Sequence, residues 1–233
     1  MDVDVLGFYY ALPAAAYVRG MLRGTSHALD DDRFSRPLAL LAERDLALLL
    51  ETGLRAGLRL HRFKRTMGLP RVARALGVLR GLQPATLLDI GSGRGAFLWP
   101  LLDAFPDLPV TALDQAPHRV QMLRTVAAGG VQRLAVCQAD ATALPFADGA
   151  FEVVTALELL EHIPDVGRAV QEIVRVARRQ VVVSVPSHAD DNPEHLHLLR
   201  EGDLERLFLA AGARRIGFQY VPNHLLAVIG TGG

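Results

Sequence analysis

Three ionisable side chains, Glu158, Glu161 and His162, stand close together in the stretch ALELLEHIPD, residues 156–165. They follow FEVVT, an apolar run that reads as a buried strand, at the point where a chain leaving a strand would enter a helix. On a helix, at 100° per residue, the three fall within about 100° of arc and share one face. Two carboxylates and an imidazole can supply half or more of the shell of a divalent cation. Alternatively, His162 acts alone as a general base poised near neutral pH, with Glu161 or Glu158 orienting it. A structural role also fits, because carboxylates in a first helical turn are favoured by the macrodipole. A further ligand is available in SHADDNPEHLHLL, which follows the next apolar run but one.

The elements that must position these groups are legible from residue 85 onward. ATLLDI, LPVTALD, LAVCQAD, FEVVTAL and RQVVVSVP read as five buried strands. Helices separate them: one through Phe105, one from Pro117 to Gly129-Gly130, and one capped by Asp165 with Val166, Val170, Ile173, Val174 and Ala177 as its apolar stripe. After a loop, GDLERLFLAAG is a further helix, and RRIGFQYV and LLAVIG close the chain as strands. Only PNH separates those two, too short for a helical crossover, so they pair antiparallel. The pattern predicts an α/β doubly wound seven-stranded sheet, mostly parallel, with an antiparallel last strand. Residues 1–84 precede it as a helical N-terminal cap. Within the cap, residues 1–30 read as apolar and irregular up to the acidic turn Asp30-Asp31-Asp32, and residues 37–60 as one or two helices. Pro70 opens another, with Val72, Leu76 and Leu79 on one face and Gly81 and Pro84 ending it.

At 233 residues, half of them apolar, the chain can bury a large core. Basic and acidic residues balance at 25 each, which argues against a bulk polyelectrolyte partner. The distribution is uneven: from Thr52 to Leu88 there is no acid, while Arg55, Arg59, Arg62, Lys64, Arg65, Arg71, Arg74 and Arg80 are basic. That segment, 55–80, is either a solvated helical face or a patch for an anionic partner such as RNA. The lone Cys137 excludes disulfides within the chain and cysteine-based metal sites, and points to a reducing, cytoplasmic setting. An uncharged run of 14 residues, 5–18, follows Asp2 and Asp4 rather than Lys or Arg, unlike a signal peptide, and is too short to span a bilayer. It is expected to pack on the domain or on a second subunit, making a homodimer; the alternative is contact with a membrane surface. Phe8, Tyr9, Tyr10 and Tyr17 read as packing residues, Trp99 as core or subunit contact, and His61, His118 and His188 as surface or cap residues.

Between the first strand and its helix lies GSGRG, whose glycines let a backbone approach a ligand closely. GSGRGA formally satisfies G-x-G-x-x-A, so a nicotinamide enzyme is one reading. Asp89, two residues before Gly91, weighs against it: a pyrophosphate would be repelled there, whereas a cationic amine would be attracted. Asp114 ends the second strand, 25 residues further on, and can accept two ribose hydroxyls. Asp140 ends the third and can accept from an adenine amino group.

In LLDIGSGRG, VTALDQ, QADATALPFADGAFEVVTALELLEHI and VVVSVP, taken in that order, the chain resembles the class I S-adenosylmethionine-dependent methyltransferases, within the small-molecule group that includes the ubiquinone and menaquinone biosynthesis enzymes. The resemblance covers roughly residues 85–230 and implies S-adenosylmethionine as cofactor. It sets Gly91 and Gly93, in a turn completed by Ser92 and Gly95, against the methionine moiety, with Asp89 near its amine. Asp114 would hold the ribose, Gln115 would lie beside the adenine, and Asp140 with the Ala141 backbone would read the adenine edge. Leu157 would offer its carbonyl to the amine.

The E-x-x-E-H segment and a later loop histidine also resemble the metal-dependent RNA 3′-terminal 2′-O-methyltransferases, which implies Glu158, Glu161, His162 and His195 as ligands of Mn²⁺ or Mg²⁺. His197-Leu198-Leu199 departs from the aromatic and acidic residues of those enzymes. The expected activity is O-methylation of a small molecule, with Glu161 and His162 at the reaction centre and the N-terminal 80 residues as lid. The alternatives are RNA-end methylation and a cofactor-binding scaffold that only regulates.

Overall fold

The computed structural model describes residues 5–23, 25, 36–65, 68–189 and 191–232. Seven strands form one sheet: β1 (Leu87–Ile90), β2 (Val110–Asp114), β3 (Leu134–Gln138), β4 (Phe151–Leu157), β5 (Ala177–Pro186), β6 (Arg215–Val221) and β7 (His224–Gly230). Their order is β3-β2-β1-β4-β5-β7-β6. The first five run parallel, β7 is antiparallel to β5, and β6 is antiparallel to β7. The chain order reverses between β1 and β4, so their carboxyl ends face the crevice in which doubly wound sheets bind ligands.

Side chains alternate across each strand. Leu88, Ile90, Val154, Val181 and Val183 enter one core, beneath α7 (Val166–Val176) and α8 (Glu201–Ala210). Leu87, Val110, Val153 and Val182 enter the other. That second core continues into α2 (Ala11–Leu22), α3 (Glu43–Arg55), α4 (Pro70–Leu82), α5 (Leu98–Ala104) and α6 (Pro117–Ala128). The described helices of 1–84 thus share one apolar interior with the sheet.

Most of the expected elements appear, with some differences outside the cleft. Residues 1–30 are not irregular throughout. A short α1 (Val5–Phe8) precedes α2, a twelve-residue helix. Pro13 falls in the first turn of α2, where a missing N–H removes no helical bond. Ala14, Ala15, Ala16 and Val18 are buried there, small enough to bring α2 against the end of α6, where a Cβ on Gly129 would overlap the Ala16 carbonyl. Asp30-Asp31-Asp32 lies outside the described residues. In residues 37–60, where one or two helices are expected, one α-helix forms, preceded by a 3-10 turn, Leu38–Leu40. Finally, Ala177 does not extend the α7 stripe: it is buried in the same core but begins β5.

The aromatic residues pack largely as expected. Tyr9 and Tyr10 are buried and Phe8 is half exposed. Tyr17 stacks on Phe63 at 5.2 Å and Phe63 on Trp99 at 5.1 Å, so an aromatic chain ties the N-terminal helices to the glycine turn. Trp99 is core, 1% exposed, and its Nε1 donates to the Arg94 carbonyl at 3.0 Å. His61, His118 and His188 are exposed. Among the described residues no helix is long and apolar enough to cross a membrane.

The 55–80 segment is not one continuous basic face. Arg65 pairs with Asp103 at 3.2 Å, Arg71 lies 3.8 Å from Glu158, Arg74 donates to Gln219, and Arg62 sits over the Tyr17 ring.

Gly95 is where the glycine turn meets this aromatic stack. Its φ is +85°, and a Cβ there would overlap the Trp99 indole. Gly95→Ala combines left-handed strain with overpacking. It is expected to cost about 3 kcal/mol or more, read as a lowered denaturation midpoint in urea.

Candidate active site

The carboxyl ends of β1, β2, β3 and β4 open into a cleft of about 860 Å³. Its lining includes Asp89, Gly91, Ser92, Gly93, Asp114, Gln115, Asp140, Ala141, Leu157, Glu158 and His162. Gly95 lies below it, under Trp99.

Asp89 is 2% exposed, and strand register explains its partners. Asp89 stands opposite Thr155 on β4 and Ala112 on β2. Period-2 alternation puts all three on one face. The Thr155 hydroxyl therefore donates to Asp89 Oδ1 at 2.8 Å, while Ser92 Oγ donates to Oδ2 at 2.7 Å. Burial pushes the Asp89 carboxyl up to about 6; the two hydroxyl bonds oppose that rise, and nearby Asp114 adds to it. Thr155 was not singled out in the sequence. The available sign was a lone hydroxyl inside the apolar run FEVVTAL.

Asp114, 2% exposed, holds the turn itself. Its Oδ2 accepts from Gly93 N and its Oδ1 from Ala116 N, both at 2.9 Å, with Arg119 3.6 Å away. Gly91 has φ +74°, and a Cβ there would stand 2.8 Å from Leu159 Cδ1, so both the backbone and the packing favour a residue without a side chain. Asp140 is exposed at the rim; Thr142 N and Oγ1 both donate to its Oδ1, holding it below the usual carboxylate range. Gln115 is exposed and Ala141 buried at the same rim. An elongated ligand with a cationic amine, a ribose-like diol and a flat heterocycle would meet suitable partners along this cleft.

At the other end, the expected helix over ALELLEHIPD does not form. Glu158 takes a left-handed φ of +54°, and a 3-10 turn, Leu160–His162, follows. The Glu158 N–H donates to the Ser184 carbonyl at 2.9 Å, stabilising a conformation that costs roughly 1–2 kcal/mol for a non-glycine residue. That reversal separates the three groups. Glu158 turns toward β5 and β7, where Ser184 Oγ donates to Oε1 and His224 Nε2 meets Oε2, both at 2.8 Å. His224 Nδ1 lies 3.0 Å from the Pro222 carbonyl.

Glu161 and His162 face the loop after β5 instead. Leu196 N and His197 N donate to the Glu161 carbonyl, at 2.8 and 3.3 Å, and His197 Nε2 donates to the Ile163 carbonyl at 3.0 Å. Pinned in this way, the loop brings His195 to His162, with ring centroids 4.8 Å apart. Glu161, His162 and His195 offer ligand atoms that all lie within 4.8 Å of one another, and Glu161 is fully buried. Glu158 is not in that group. His162 Nδ1 lies 2.9 Å from the Glu194 carbonyl, which can only accept. Nδ1 therefore carries the proton, and Nε2 of the neutral ring is bare.

A family profile described as "Methyltransferase domain" matches residues 88–185. Demethylmenaquinone methyltransferase of Roseiflexus sp. is 37% identical over 168 residues, covering 68% of this chain and 68% of that protein. Malonyl-[acyl-carrier protein] O-methyltransferase of Geobacter sulfurreducens is 34% identical over 96 residues, 41% of this chain, and the match spans only 36% of that protein. Most of the other curated relatives are likewise matched over about half their length or less. Among solved structures, magnesium protoporphyrin IX methyltransferase of Synechocystis, with bound SAH, shares the fold at a TM-score of 0.55 and 16% identity, covering 68% of this chain and 81% of that one. The sheet order is that of the class I methyltransferase fold. The chain belongs to the S-adenosylmethionine-dependent methyltransferases.

Proposed function

We propose that the protein transfers the methyl group of S-adenosylmethionine to an oxygen of a small-molecule acceptor, assisted by a divalent cation at Glu161, His162 and His195. The observation that carries this reading is the set of ligand atoms of Glu161, His162 and His195, all within 4.8 Å of one another, with His162 lining the same cleft as Asp89, Asp114 and Asp140.

When bound, the cofactor supplies an activated methyl on a good leaving group, so the protein's task is alignment and water exclusion. The buried carboxylate of Asp89 would take the amine, with the Leu157 carbonyl beside it, and Gly91, Ser92 and Gly93 would give the methionine chain room. Asp114 would accept from the ribose hydroxyls. The second oxygen of Asp140 and the backbone of Ala141 would read the adenine edge, with Gln115 alongside. At the acceptor end, Nε2 of His162 would take the hydroxyl proton or ligate the ion. A cation held there lowers the pKa of a bound hydroxyl and orients it. With Glu158 bonded elsewhere, the donor set is one carboxylate and two imidazoles. That set suits Mn²⁺ and other borderline cations better than Mg²⁺, which favours oxygen.

The relative named as an O-methyltransferase supports oxygen as the target, and that named for demethylmenaquinone supports a quinone-type small molecule as acceptor. Internal contacts of Arg62, Arg65 and Arg74 favour a small acceptor over an RNA end. Residues 1–84 serve as the cap, with Arg71 and Val72 reaching the cleft. The direct test is mass spectrometry of catechol and phenol acceptors incubated with the protein and deuteromethyl-labelled S-adenosylmethionine. Labelled product is expected. Tight S-adenosylhomocysteine (SAH) binding with no transfer to any acceptor would favour the scaffold reading.

A further inference from the structure

One charged group in the cleft has no part in the chemistry described above. Arg71, in the first turn of α4, lines the cleft together with Glu158 and His162. Its side chain is 18% exposed, and Glu158 is the one carboxylate within ion-pair range among the described residues, at 3.8 Å from Nε to Oε2. That distance is beyond a hydrogen bond. The carboxylate is also committed elsewhere: Ser184 Oγ holds Oε1 and His224 Nε2 meets Oε2, each at 2.8 Å. Neither partner can leave easily. Ser184 is fully buried in β5, and His224 begins β7, opposite Pro186 in the sheet register. The guanidinium, a planar fork of five donors, therefore meets the cleft without a bidentate partner. A part-buried arginine in that state is a receptor for a planar anion, because desolvation raises the value of a charge-assisted pair.

We infer that Arg71 is a specificity-determining residue: it anchors a carboxylate, or a similar planar anionic group, on the methyl acceptor. This rests on the methyltransferase reading of the same cleft. Arg71 comes from the N-terminal helices, while Asp89 lies in β1 and Asp114 ends β2, so the anion anchor and the cofactor acids come from two parts of the chain. Glu158 serves the same end as a positioning residue. Anchored by Ser184 and His224, it limits where the guanidinium can lie and leaves the bidentate edge to the ligand.

The test is calorimetric titration of SAH-saturated protein with 3,4-dihydroxybenzoate and, separately, with its neutral isostere 3,4-dihydroxybenzamide. The acid is expected to bind about tenfold tighter or better, the range of one charge-assisted bidentate contact. Arg71→Met is expected to erase the difference by weakening the acid alone, and Arg71→Lys to restore part of it. Equal affinities in the wild type, including an equal lack of binding, overturn the inference, as does a preference for the acid that survives in Arg71→Met. SAH binding, measured first in each protein, checks that the variant is folded and separates the two readings. Loss of SAH binding in the wild type would count against the methyltransferase reading. SAH binding without discrimination between acid and amide would count against Arg71 as the anchor.

Discussion

SAH affinity is expected to fall as pH drops through 6, by about tenfold per unit below that point, and to be flat above it. The cause is Asp89. Its carboxyl is pushed up to about 6 by burial, and only the ionised form can accept a charge-assisted bond from the ligand amine. The same group fixes the sign of a stability effect. Its folded value lies above the ordinary 3.8, so stability from this group is fully present below about 4 and is lost as pH rises through 6. Above 6 the unliganded protein therefore carries a buried charge that costs about 3 kcal/mol. An ammonium ion that pairs with the charge offsets this cost. The SAH-induced rise in unfolding temperature is thus expected to be larger near pH 8 than near pH 5.

Asp89→Asn separates the two effects. Without ligand, the variant is expected to be as stable as the wild type or more so, while binding SAH roughly ten- to a hundredfold more weakly with no inflection near pH 6. Thr155→Val removes one of the two hydroxyls that hold the carboxylate ionised. It should move the inflection upward in pH, which a merely structural threonine would not do. Affinity that is independent of pH in the wild type would rule out Asp89 as the amine's partner.

The sheet was legible in the sequence because strands buried on both faces appear as short apolar runs, and helical crossovers fix parallel order. The glycine turn was legible because positive φ needs residues without a Cβ. What failed to read was geometry set by a single backbone torsion. Nothing in ALELLEHIPD signals that Glu158 adopts φ +54°, since glutamate is a helix former, and the continuous helix it suggests would have put three groups on one face. The Glu158 partners, Ser184, His224 and Arg71, come from β5, β7 and α4. Only the assembled sheet brings them together. Thr155 and Ser184 did leave a trace, as lone hydroxyls in apolar strands, but their acceptors depend on register between strands. The helix α2 was obscured by an alanine-rich, proline-containing run with little amphipathic pattern, because its small face packs against α6 rather than fully facing solvent.

That same torsion makes the metal reading sharply testable. Mn²⁺ titrated into SAH-saturated protein is expected to bind at one ion per chain, and more tightly than Mg²⁺, because two of the three donors are imidazole nitrogens. Glu161→Ala and His195→Ala should each abolish this binding, since either leaves only two ligand atoms. Glu158→Ala should leave it almost unchanged, because its oxygens belong to Ser184 and His224. The four-ligand set expected from the sequence makes the opposite forecast for Glu158, so one variant decides between the two sets. If a cation activates the acceptor, chelation or Glu161→Ala should slow transfer by about 10²- to 10³-fold, with Mn²⁺ reversing only the chelation. Wild-type protein that binds neither ion would leave His162 as a metal-free base. Its Nδ1–H would still donate to the Glu194 carbonyl, leaving Nε2 for the acceptor. Transfer would then be indifferent to chelator.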